Sequence, residues 1–188
     1  MRKPFLYILA VALCLNCTPS FGEGENTPAE ESWFIIKSNH FTIYCSNTVD
    51  LKTVADRLEK RGLFVSGVYD PNPASAPTEK VAYRLDRILK RVKDILDMHP
   101  DVHLKIKIFK DRENLNGEYR KIFNAEADYK AFYINQYETI YTSEEDISDS
   151  VVSHEMGHAV VDHYFSVIPP ERVRELLASY VDLHLEED

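Results

Sequence analysis

Two histidines four positions apart, His154 and His158, constrain this chain more than any other feature of it. On an α-helix, residues four apart are rotated by about 400°, so both imidazoles leave the same face one turn apart. The neighbouring residues favour such a helix. Val151, Val152, Met156 and Val160 supply the apolar positions of an amphipathic helix, and Ser148 or Asp146 offers an N-cap. An imidazole pair suits one divalent ion: zinc accepts neutral imidazole nitrogens at about 2.0–2.1 Å, and a catalytic site adds a third protein ligand and leaves a position to water. Glu155, about 100° round the helix from His154, can flank that ion and take a proton from the polarised water. With 7 His in 188 residues, the string His-Glu-x-x-His arises by accident about 0.02 times. Gly157 weakens the helix by about 1 kcal/mol relative to Ala, which makes sense where another backbone, a metal shell or tight packing comes close.

A third ligand has to come from elsewhere. A continuation with Gly at 161 and His at 164 is absent, since Val161 and Tyr164 stand there. His163 lies five residues after His158, about 140° away on the helix, and reads as a surface or packing histidine. Beyond Pro169-Pro170 a last helix offers Glu171 and Glu175, four apart on one face. Either carboxylate can reach back across the intervening turn, and helical geometry does not choose between them.

Upstream, strands and helices alternate. Order is expected to begin at Trp33, with a strand over residues 40–45 and a helix over 51–61 on the spacing of Leu51, Val54, Ala55 and Leu58. Pro71, Pro73 and Pro77 make residues 66–78 a loop. A long helix follows on Val81, Leu85, Ile88, Leu89, Val92, Ile95 and Leu96, ended by Pro100. Strict alternation over 102–108 predicts a half-buried strand, and a short helix is expected near 113–123. Residues 131–134 and 139–141 read as strands of a hairpin turning near Asn135-Gln136. Helices are expected over 148–165 and, with Pro170 in its first turn, to about 185. This order predicts an α+β fold: a small mixed, twisted sheet packed with helices, the histidine helix being followed by a C-terminal glutamate-bearing helix.

The first 22 residues have the basic start, apolar run (5–15) and small-residue cleavage region of a secretory signal, with cleavage expected after Gly22 or, second, Ser20. The apolar run falls short of the about 20 residues of a membrane span. The alternatives are retention of the segment as an anchor, or lipid attachment at Cys17, although Asn16 and Leu13 are bulky predecessors for processing at Cys17 or Cys14. Residues 23–31 are expected to be a flexible leader and 32–188 one domain, giving a secreted or periplasmic protein. Cleavage leaves Cys45 as the only cysteine, so no internal disulfide can form, and its alternating surroundings suggest a packed small hydrophobe. A net charge of −9 with no Lys/Arg run argues against a nucleic-acid binder. A chain of this size can bury roughly two-thirds of its unfolded surface, so a metal would serve function rather than folding.

His154-Glu155-Met156-Gly157-His158, followed by Glu175-Leu176-Leu177-Ala178-Ser179-Tyr180, resembles the gluzincin zinc metallopeptidases, and most the small peptidase-MA-like or minigluzincin proteins. The resemblance is specific over residues 148–185. It implies a zincin-like domain, one catalytic Zn²⁺ on His154, His158 and Glu175, with Glu171 as the fallback ligand, and Glu155 as general base. It also implies a strand, matched to Ala131, Phe132, Tyr133 and Ile134, that holds extended peptide by edge pairing. Tyr180, within the family-like segment, becomes the candidate oxyanion partner, with His184 and Tyr164 also available. Where some members carry an Asp four residues after the ligand Glu, this chain has Ser179, so support of a ligand histidine falls to that hydroxyl or to another carboxylate such as Asp182. The expected activity is hydrolysis of peptide bonds in a peptide or protein substrate, endopeptidase rather than exopeptidase. The rival reading is a zinc- and peptide-holding module with little turnover.

Overall fold

The computed structural model describes residues 32–58 and 75–185. The signal segment and leader, the end of the helix expected over 51–61, and the part of the loop before residue 75 lie outside them.

A five-stranded mixed sheet organises the described residues. Its strands are β1 (Trp33–Lys37), β2 (Phe41–Ser46), β3 (Leu104–Phe109), β4 (Ala131–Ile134) and β5 (Thr139–Ser143), in the order β1-β2-β3-β5-β4. The two inner pairings, β2 with β3 and β3 with β5, are parallel, whereas β1 and β4 run antiparallel to their neighbours at the two edges. Register brings Ile43, Ile106 and Ile140 side by side across the inner strands. All three are fully buried, and each contributes about 1.5–3 kcal/mol relative to an exposed side chain.

Strand alternation divides the chain between two faces. Phe41, Ile43, Cys45, Leu104, Ile106, Ile108 and Ile140 face the main core, which is completed by α1 (Leu51–Leu58), α2 (Pro77–Leu96) and α4 (Asp149–Tyr164). Phe109, Phe132 and Tyr141 point the other way, into a second, smaller core with Leu115 of α3 (Arg112–Phe123). The mixed sheet with helices on both faces makes the fold α+β, as the element order predicts. Cys45 is buried in the main core, and burial pushes its thiol up to about 12, as a packed residue requires.

Several boundaries differ from the sequence expectation. Pro77 opens α2, at a position where its missing N–H and fixed φ are harmless, so the loop ends two residues earlier than expected. The same helix stops at Leu96, before Pro100 acts: Asp97 adopts the left-handed conformation at φ 50°, and the N–H of Met98 donates back to Lys93 O at 3.0 Å. β1 is an additional strand with no clean alternation, because it lies at an edge and is only partly covered. α4 is not amphipathic. It packs against α2, α5 (Glu171–His184) and the sheet, and ten of its residues are buried, among them Val152, Ser153, Met156, Gly157, His158 and Ala159. By contrast α5 is covered on one side only, through Ala178 and Val181, and leaves Val173, Leu176, Tyr180 and Leu183 exposed. No helix among the described residues is long and apolar enough to cross a membrane.

Candidate metal centre

The centre is built where α4 meets α5. Ser148 caps α4, its Oγ accepting from the Val151 N–H at 3.3 Å, which fixes the helix start and with it the phase of His154 and His158. Gly157 lies between them in sequence, where α5 comes close: a Cβ placed there would stand 3.2 Å from the Ala178 Cα and 3.6 Å from Val181 Cγ2. The backbone of the next helix therefore accounts for this glycine. Glu175 and Asp182, three before and four after Ala178, share the face that α5 turns toward α4.

That phase brings His154, His158 and Glu175 together, with one ligand atom from each lying within 4.8 Å of the others. Glu175 Oε2 is 3.7 Å from His154 Nε2, and Oε1 is 3.4 Å from His158 Nε2. The imidazole rings are 4.9 Å apart at 80° to each other. Behind His154, Asp182 Oδ2 accepts from Nδ1 at 3.2 Å. This bond places the proton on Nδ1 and leaves the Nε2 lone pair facing the cluster, as a metal ligand requires. Asp182, rather than Ser179, thus supports a histidine. His158 Nδ1 is buried and has no hydrogen-bond partner among the described residues, so the two imidazoles differ in their support.

The surroundings set the charges. The Asp182 hydrogen bond, against the opposing effect of burial, raises the pKa of His154 above its ordinary value, with the negative charges of Glu155 and Glu175 adding to it. Burial lowers that of His158, against the pull of Glu175. Glu155 is half-buried, and burial pushes its carboxyl up to about 7, opposed by His154 and by a hydrogen bond from the Tyr133 backbone and reinforced by Glu175. A carboxyl with that pKa can accept and return a proton near neutrality.

Glu171 is diverted from the cluster. Its carboxylate pairs with the Arg174 guanidinium, which also donates to the buried Asp162 at 3.3 Å. Position on a helix face left the two glutamates equivalent; this ion pair separates them. His163 donates from Nδ1 to Ala159 O at 2.8 Å, with Nε2 3.4 Å from Glu138 Oε1, and stays outside the cluster, as a packing histidine does. Tyr180 is not brought to the site: it lies about 140° round α5 from Glu175, exposed, with its ring 3.9 Å from that of His184. Tyr164 is likewise exposed and packs edge-on against Phe165.

His154, Glu155, His158 and Glu175 open into a cleft of about 390 Å³, also lined by Glu171, Arg174 and, from β4, Ala131, Phe132 and Tyr133. Ile134, the last β4 residue, packs into the smaller core instead. Among the described residues β4 pairs only with β5, so its other edge is open beside α4. Sequence reasoning missed Tyr119, Phe123 and Tyr129, which also line this cleft. The density of aromatic residues between 119 and 133 was the available signal. It missed the Arg174–Asp162 pair as well, for which spacing gives no sign.

The donor set fits a divalent ion: two imidazole nitrogens and one carboxylate, with a hydrogen-bonded support behind one imidazole. Comparison with family models of known proteins finds no match, and comparison with curated proteins likewise finds none.

Proposed function

We propose that this chain is a zinc-dependent peptide hydrolase of the gluzincin kind, with a zincin-like fold. The observation that carries the proposal is the convergence of His154, His158 and Glu175 in a cleft that also holds Glu155 and an open strand edge. His154, His158 and Glu175 would hold the ion. A bound zinc supplies Lewis acidity to a carbonyl oxygen and lowers the pKa of its water toward neutrality.

The chain's own groups account for the rest. The edge of β4 away from β5, apart from the Tyr133 N–H that Glu155 holds, pairs with a peptide in extended form, fixing the bond to be cut against α4. Glu155, beside this edge through its hydrogen bond with the Tyr133 backbone, accepts the proton of the attacking water and returns it to the leaving nitrogen. Asp182 holds His154 in one tautomer and orientation throughout. The N-terminal segment, with its basic start and apolar run, supports export ahead of this activity.

The test is Glu155→Gln, which keeps the shape of the side chain and removes its proton acceptor. A zinc-loaded wild type is expected to cleave a denatured protein, and the variant to bind zinc equally while losing about 10²–10⁴-fold in rate. Equal inactivity of the two, with zinc bound to both, would replace the hydrolase by a peptide-holding module.

A further inference from the structure

Beside the convergent imidazoles, the cleft carries aromatic rings for which the hydrolytic chemistry has no use. Tyr119 and Phe123 come from the second half of α3, Tyr129 from the loop after it, and Phe132 from β4. Tyr119 is the hub, its ring centroid 4.5 Å from Phe123, 5.0 Å from Tyr129 and 5.1 Å from Phe132. Beneath them Phe132 stacks on Tyr141 at 4.7 Å, which anchors the group in the smaller core. Tyr129 is also pinned through its backbone: its N–H donates to Asn116 Oδ1 at 2.9 Å, and Asn116 Nδ2 donates to its carbonyl at 3.3 Å.

Two of these rings remain uncovered although the others hold them in place. Phe123 is 47% exposed and Tyr129 46%, and both line the same cleft as His154, Glu155 and His158. Preordered rings present apolar surface that loses little conformational entropy when covered, which is why aromatic residues anchor recognition surfaces. From α5 the cleft is lined by the paired charges of Glu171 and Arg174 and by Glu175, so its aromatic surface comes from α3, the loop after it and β4. A peptide added to the β4 edge turns alternate side chains to each side and can lay one of them on these rings.

We propose, building on the hydrolase reading above, that Phe123 and Tyr129, backed by Tyr119 and Phe132, form a subsite that selects peptides with an aromatic or long aliphatic side chain within two residues of the bond to be cut. Covering one large apolar side chain on this shelf favours a Phe peptide over its Ala counterpart by about 10–100-fold.

The experiment has two arms, both on the full zinc-loaded chain. In the first, the wild type digests peptides that differ only in carrying Phe, Leu, Ala or Asp at one position, and mass spectrometry reads the cleavage rate at each bond. In the second, Glu155→Gln binds fluorescein-labelled Phe and Ala peptides of the same series, read by anisotropy. Expected are a Phe-over-Ala ratio of at least about tenfold in both arms and its collapse toward one in Phe123→Ala and Tyr129→Ala. Both replaced rings are half-exposed, so circular dichroism is expected to show folded variants. Cleavage without side-chain preference would overturn the subsite and leave the hydrolase standing. Preferential binding of the Phe peptide without cleavage by the wild type would sustain the subsite while the hydrolase reading fails. Equal binding without cleavage would overturn both, and a preference unchanged in both ring variants would overturn the assignment to these residues.

Discussion

Replacing Gly157 by Ala separates the stability of α4 from the geometry of the site. In an isolated helix the substitution stabilises by about 1 kcal/mol. Here the new methyl meets the Ala178 Cα at 3.2 Å, closer than an ordinary van der Waals contact of 3.4–4 Å. The neighbour is backbone, so α5 must withdraw by a few tenths of an ångström, and overpacking of this sort costs about 1–3 kcal/mol. The two terms leave a net destabilisation between about zero and 2 kcal/mol, visible as a modest shift of the urea midpoint at unchanged slope. The site is expected to suffer more. Glu175 is one turn from Ala178 on the same helix and moves with it, and metal–ligand distances hold to within about 0.2 Å. Zinc affinity is therefore expected to fall about tenfold or more, equivalent to at least about 1.4 kcal/mol. A competitive chelator titration measures it, and Gly157→Val, which adds two more methyl groups, is expected to lose more. Zinc affinity at the wild-type level in a Gly157→Ala variant of equal or greater stability would show that the helix approach does not set the ligand geometry.

Asp182→Asn removes the charged acceptor behind His154 and is expected to weaken zinc about 10–100-fold at pH 8, measured by the same titration. The pH dependence has a definite sign. Because Asp182 raises the His154 pKa, the metal-free wild type keeps the His154 proton to a pH above the ordinary 6.5; in metal-free Asp182→Asn the His154 titration, followed by NMR, moves to lower pH, and a shift upward would contradict the assigned hydrogen bond. Ile106→Ala, in the middle of the sheet and fully buried, is expected to cost about 2–5 kcal/mol in chemical denaturation. Its residual folded fraction should still bind zinc as the wild type does, and a specific loss of affinity would place the sheet centre in the site.

The helical part of the site was legible because its information is local. Ser148, His154, Gly157 and His158 sit within three turns of one helix, and period and cap chemistry fix their phase. The hairpin of β4 and β5 was equally local. Local spacing is silent where lateral contacts decide. Glu171 and Glu175 share a face, and what separates them in the fold is the approach of Glu175 to both Nε2 atoms and the pairing of Arg174 with Glu171 and Asp162, residues on two helices. Tyr180 matched a motif position but stands on the solvent side of α5, a fact set by how Ala178 and Val181 pack. The apolar spacing predicts an amphipathic α4, whereas in the folded chain it is covered on most sides by α2, α5 and the sheet, and burial all round erases the periodic signal. The aromatic shelf joins α3, a loop and an edge strand that meet only in three dimensions.

Zinc stoichiometry in three proteins tests the central claim most directly: the wild type, Glu175→Gln and Glu171→Gln, each purified, loaded and dialysed before metal analysis. One ion per chain is expected in the wild type and in Glu171→Gln, with loss in Glu175→Gln, because Glu175 faces both Nε2 atoms while Arg174 holds Glu171. A wild type that retains no zinc, or retention by Glu175→Gln with loss by Glu171→Gln, would contradict the account.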